Sequence, residues 1–163
     1  MHDVADAGAW PPGAEIDTIT LDFDQRHRRR WLLTTAGGRE ILLDLPRARR
    51  LRDGDGLTLP AGVVRVVAAP EKVMDIHAGA PDLLRIAWHL GNRHLAVQLR
   101  AGAIRIRADH VLADMGAGLG GHVHRLDEPF EPEGGAYDGG SHGHHHHHDD
   151  DVDHQHGHAH DGT

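Results

Sequence analysis

From Ile19 the chain alternates apolar and polar positions, with Ile19, Leu21 and Phe23 on one side and Thr20 and Asp22 on the other, the period of a half-buried strand. Four further stretches are rich in β-formers: Arg30 to Thr35, Glu40 to Leu45, Leu57 to Leu59 and Val63 to Ala69. Gly37-Gly38 and Asp53-Gly54-Asp55-Gly56 supply turn chemistry between them. Residues from about 14 to 69 are therefore expected to form a small all-β unit, and the N-terminal domain is drawn as 1–69.

After Pro70 the pattern changes. Val73 to His77 reads as a strand, and Pro81 to Leu90 as a helix with Leu83, Leu84, Ala87 and Trp88 on its apolar stripe and Gly91 as its stop. Leu95, Val97 and Leu99 then alternate with Ala96, Gln98 and Arg100; a turn at Ala101-Gly102 leads to Ile104 and Ile106, which alternate with Arg105 and Arg107. Asp109 is placed to cap a second helix carrying Val111, Leu112 and Met115, whose end is weakened by Gly116 and Gly118. Val123 to Leu126 closes the series. The order strand, helix, strand, strand, helix, strand predicts a ferredoxin-like domain over 70–137, making the fold α+β. Pro129 to Gly140 reads as an exit segment, and 138–163 as a disordered His- and Asp-rich tail.

Composition sharpens this picture at the tail. Ten histidines stand in the last twenty-two residues: His142, His144, His145, His146, His147, His148, His154, His156, His158 and His160, among Asp149, Asp150, Asp151, Asp153 and Asp161. Imidazole titrates near pH 6.5, so at neutral pH most such rings offer a nitrogen lone pair. A purification tag is usually an uninterrupted terminal run, whereas this pattern mixes a run with an acidic stretch and spaced histidines. The tail is expected to capture several ions loosely. With no cysteine in the chain, any site uses nitrogen and oxygen, which suits Ni(II), Cu(II), Zn(II) and Co(II).

The formal net charge of −8 is unevenly placed. Gln25 to Arg52 holds nine arginines against Glu40 and Asp44, and Asp109 onward holds twelve acidic residues against Arg125 alone. The arginines lie on strand patterns without interleaved aromatics, and the overall charge opposes DNA, so no nucleic-acid partner is expected. The Arg26 to Arg30 block reads as a solvated face or a surface for an acidic partner. No apolar run approaches a membrane span, and Met1 to Gly13 has no basic-then-apolar leader pattern, so the expected location is cytoplasmic, with no membrane partner.

Outside the tail, His94 follows the helix stop and opens a strand whose apolar side is Leu95, Val97 and Leu99, which turns it to the polar side and leaves it free to ligate. His110 lies in the first turn of the second helix, where the backbone dipole favours a neutral ring. His122 and His124 form a His-x-His pair that a strand would point to one side, a pattern able to bind metal but not specific for it; His77, His89, His2 and His27 read as structural or solvated. A metallohydrolase with His94 and His110 activating water is disfavoured, since no His-Glu-x-x-His or similar set with a general base occurs. The protein is not expected to be an enzyme.

Ala87-Trp88-His89-Leu90-Gly91-Asn92-Arg93-His94, Asp109-His110-Val111-Leu112, Asp114-Met115 and Glu128-Pro129-Phe130-Glu131-Pro132-Glu133-Gly134-Gly135-Ala136-Tyr137 together resemble the UreE type of urease accessory protein. The resemblance is strongest from about 70 to 137; the first domain agrees in pattern and size. It implies a homodimeric nickel metallochaperone with a β domain for protein partners, a ferredoxin-like metal-binding domain and a histidine-rich end. It also implies that His94 is the central nickel ligand, shared between two subunits at the dimer interface, and that His110 matches a further metal-binding histidine. Members with that histidine carry another two residues earlier, where this chain has Ala108. The implied partners are the urease accessory GTPase and the urease apoprotein complex. A histidine-rich nickel or zinc store without dedicated delivery is the alternative reading.

Overall fold

The computed structural model describes residues 3–134. In the N-terminal part, β1 (Val4–Ala5), β2 (Glu15–Leu21), β5 (Gly56–Leu59) and β6 (Gly62–Ala68) form one sheet in the order β1-β5-β6-β2, while β3 (Arg30–Thr34) and β4 (Glu40–Asp44) pair as a separate antiparallel hairpin. A short 3-10 turn, Pro12–Ala14, leads into β2. The strands expected from alternation are present, and β1 adds an edge that the pattern from residue 14 did not include. β2 runs parallel to β6 and the other pairs are antiparallel. Their inward residues Ile19, Leu21, Leu33, Ile41, Leu43, Leu57, Val64 and Val66, with Leu51 from the segment between β4 and β5, make one core.

The C-terminal part runs β7 (Pro70–His77), α1 (Ala80–Gly91), β8 (Gln98–Arg100), β9 (Ala103–Arg107), α2 (His110–Gly118) and β10 (His122–Pro129). Its strands form one sheet in the order β10-β7-β9-β8, antiparallel throughout, so the expected ferredoxin-like arrangement is the one observed. One face of the sheet, with Met74, Ile76, Ile104 and Ile106, packs against Ile86 and Leu90 of α1 and Ala113 of α2. Gly116 does more than weaken the end of α2: a Cβ there would lie 3.1 Å from Ile76 Cδ1, so the glycine lets helix and sheet approach closely.

The stripe expected on α1 is only half right. Leu83 and Ala87 do pack on the core, but with Ile86 and Leu90, whereas Leu84 and Trp88 are 72% and 64% exposed. The helix carries apolar residues on more than one side, and positions 83, 86, 87 and 90 form the i, i+3, i+4, i+7 face that meets the sheet. On α2, Val111 is likewise exposed. Leu99 is exposed on β8, a three-residue edge strand that begins only at Gln98.

The other face of the sheet is built around a charge pair. Asp75 on β7 stands across from Arg105 on β9, and Arg105 Nε and Nη2 donate to the two Asp75 carboxylate oxygens at 2.7 and 3.0 Å. Both residues are buried, so Arg105 does not face solvent as the alternation with Ile104 and Ile106 suggested. The Arg105 guanidinium beside it holds the Asp75 carboxyl below the usual carboxylate range.

Two further expectations change at the junction between the two parts. Arg26, read as solvated or partner-facing, is fully buried: its Nη1 donates to the Leu51 carbonyl at 3.3 Å, its guanidinium pairs with Glu131, and Nη2 donates to the Phe130 carbonyl. Burial pushes its pKa below the ordinary guanidinium value. Residues 130–133, read as an exit segment, are built into the fold. Phe130 is fully buried and meets Phe23 with ring centroids 5.2 Å apart, inside a small cluster with Val73 and Leu126. The Glu131 amide donates to Gln98 Oε1, and the Glu133 amide to the Val97 carbonyl at 2.8 Å. Sequence alone hides both features, because an arginine-rich run and a Pro-Glu-rich run each resemble solvated surface until their partners are known.

Candidate functional site

His94 is positioned by the end of α1. Pro81 in the first turn and Asp82 beside it suit the helix start, and after Gly91 the chain tightens: the Asn92 amide donates to the Trp88 carbonyl, Arg93 to Leu90 and His94 to Gly91 at 2.9 Å. Arg93 Nη1 reaches back to the His89 carbonyl at 2.8 Å. His94 itself adopts φ +54°, the one non-glycine residue in the left-handed region among the described residues. Histidine tolerates that region better than most side chains. The expected strand position is therefore corrected: His94 sits in a turn, exposed, at the carbonyl end of a helix. That end carries partial negative charge, which favours a cation nearby.

His110 opens α2, as expected. Asp109 caps the helix, its Oδ1 accepting from the Leu112 amide at 2.9 Å, and His110 is exposed beside it. Here the helix end is positive, though the Asp109 carboxylate offsets it. An open cleft is lined by Leu95 and Ala96, which follow His94, and by Ala108 and Asp109, which precede His110, together with Glu71, Lys72, Ile106, Arg107 and Leu112. The stretches next to the two histidines thus border one cleft. Among the described residues, no three His, Cys, Asp or Glu side chains stand together as a metal-holding group. The tail histidines, His142 to His160, lie outside the described residues.

The remaining histidines separate by environment. His89 is half-buried with its ring 4.9 Å from that of Trp88, in keeping with a structural role. His122 and His124 are both exposed on β10, on one side of the strand as their spacing implied. His77, taken as structural, is exposed and touches His124 ring to ring. That contact could not be found in the sequence, because it depends on the pairing of β7 with β10. No helix among the described residues is long and apolar enough to cross a membrane.

A β part joined through the Arg26–Glu131 pair to an antiparallel ferredoxin-like sheet, with histidines at exposed turns and strand faces, defines a two-part α+β protein. The model of the UreE urease accessory protein N-terminal domain matches residues 1–69, and that of the C-terminal domain matches residues 71–161. The chain belongs to the UreE urease accessory protein family. It is 55% identical over 123 residues to the urease accessory protein UreE of Rhodopseudomonas palustris strain HaA2, covering 74% of this chain and 57% of that protein. Against UreE of Bradyrhizobium sp. strain ORS 278 the identity is 53% over 131 residues, covering 79% and 62%. Against UreE of Chelativorans sp. strain BNC1 it is 49% over 129 residues, covering 78% and 82%. The chain spans about three fifths of the length of the first two relatives.

Proposed function

We propose that this protein is a nickel-binding metallochaperone that captures Ni(II), its cargo, and delivers it to the urease assembly machinery for activation of apo-urease. The observation that carries the reading is His94, held exposed in a left-handed turn at the negative end of α1, in a member of the UreE family. One imidazole does not hold an ion alone, so the His94 side chains of two subunits share it across a homodimer interface, with His110 as a further ligand. Leu84 and Trp88, exposed one turn apart on the helix that leads to the His94 turn, offer apolar surface for that contact. Tail histidines, His142 to His160, collect ions and pass them on.

Chemistry supports transfer rather than storage in a cage. A donor must take nickel from small ligands and then release it, and an exposed nitrogen site without thiolates permits ligand exchange with a receiving protein. The receiver in this reading is the urease accessory GTPase with the urease apoprotein complex, in the cytoplasm. The protein acts as carrier and not as enzyme; Zn(II) or Cu(II) would compete for the same nitrogens.

The test is an equilibrium nickel titration with mass determination on a chain ending at Gly140. One ion per dimer, lost in His94→Ala, is the expected result. Absence of binding without the tail would move the function to storage, and full-strength dimer-bridging nickel in the His94→Ala chain would refute the ligand assignment. Proton competition for imidazole should release the ion between about pH 7 and 5.

A further inference from the structure

The face of the C-terminal sheet opposite the helices carries a second group of imidazoles that the reading above does not use. β7 and β10 pair antiparallel with His122 across from His77 and His124 across from Asp75. Because side chains alternate along a strand, His77, His122 and His124 share the face of Asp75, while Ile76 and Val123 turn to the helix side. All three histidines are exposed. The rings of His77 and His124 already meet edge to face, with centroids 5.3 Å apart and planes at 84°.

That spacing matches a shared ion. Two imidazoles that each place a nitrogen at about 2.0–2.1 Å from a tetrahedral ion have centroids about 5 Å apart. The third ring is near: residues directly opposite in an antiparallel pair have Cβ atoms about 5 Å apart, so turning the exposed His122 side chain brings its nitrogen toward His77. Neighbouring cations are already engaged: Arg105 is bound to Asp75, and Arg100, in the row of His77 beyond Ala103, leans toward Asp75, with Nε 3.9 Å from its carboxylate.

We propose that His77, His122 and His124, which do not yet stand together as a three-ligand group, close into a metal site at the exposed end of this face, distinct from His94, that takes a divalent transition cation of the Zn(II), Ni(II) or Cu(II) class. His77 and His124 are its fixed pair, and His122 joins by rotation when the ion arrives. The neutral ligands leave the ion its charge, and its remaining positions stay with water, as expected of a site open to solvent.

The experiment is residue-resolved modification of the full chain by diethyl pyrocarbonate, read by peptide mass spectrometry with and without saturating Zn(II). Modification of His77, His122 and His124 should slow by about tenfold on zinc addition as their nitrogens become engaged, while the exposed His27 keeps its rate. In His124→Ala, zinc should no longer protect His77. Unchanged rates at His77 and His124 would overturn the site, and so would zinc protection of His77 surviving in His124→Ala, since something other than a shared ion would then cover it. Protection of His77 and His124 without His122 would overturn the three-histidine assignment. His94 is read in the same peptide map, so the outcome at one site does not decide the other.

Discussion

Two conspicuous stretches of this chain meet opposite fates in the fold. Phe130 and Glu131, in the Pro-Glu-rich stretch after β10, are built into a junction where Phe130 meets Phe23 and Glu131 pairs with the buried Arg26. His94, in the stretch after α1, stands in solvent with only its backbone tied down. The difference teaches that distinctive residues in one protein serve two ends. Those at the junction fix the frame, where any loss is felt as stability, and those at the turn stand outside the packing, where a loss costs the fold little.

Breaking the junction should give the largest effect. Phe130→Ala removes a fully buried aromatic ring and is expected to lower stability by about 3–5 kcal/mol in urea unfolding. Glu131→Ala comes next, because it strips the carboxylate from a buried guanidinium; about 3 kcal/mol is expected, and replacing Arg26 by Leu in the same chain should recover part of it. If Glu131→Ala unfolds at the same urea concentration as the parent chain, the Arg26–Glu131 pair is not part of the frame.

Acid should probe the sheet centre between those extremes. Since Arg105 holds the folded Asp75 carboxyl below its ordinary value, the pair contributes fully above about pH 4, where an unfolded aspartate is ionised, and its contribution fades as pH falls through the lower folded value. The unfolding midpoint should therefore drop on the acid side of pH 4, and Asp75→Asn should flatten that part of the profile while lowering stability at neutral pH. The smallest stability effect belongs to His94→Ala, within about 0.5 kcal/mol for an exposed side chain, measured by the same unfolding curve beside the nickel titration. A large destabilisation there would erase the contrast between frame and ligand.

Much of the fold was legible because most strands are one-sided: Ile19 and Leu21, or Ile104 and Ile106, announce a buried face by alternation alone. The helix faces were less so. Leu84 and Trp88 are as apolar as Leu83 and Ile86, and only the packing of α1 on the sheet shows which pair is covered. Arg26 and Arg105 read as surface because nothing local reveals a carboxylate 105 or 30 residues away. The same limit applies at the candidate sites. The residues flanking His94 mark it, yet the alternation that follows it hides a left-handed turn, and the meeting of His77 with His124 rests on cross-strand register that no single stretch encodes.

The Arg26 to Glu131 pair also bears on how the molecule is made. A ribosome releases Arg26 long before its partner, 105 positions further along, exists. Until Phe130 and Glu131 emerge, that guanidinium lacks two of its partners in the fold, the Phe130 carbonyl and the Glu131 carboxylate. Closing so long a loop comes late in folding. Only a chain translated through the whole ferredoxin-like sheet can form the Arg26 to Glu131 pair, since Glu131 follows its last strand.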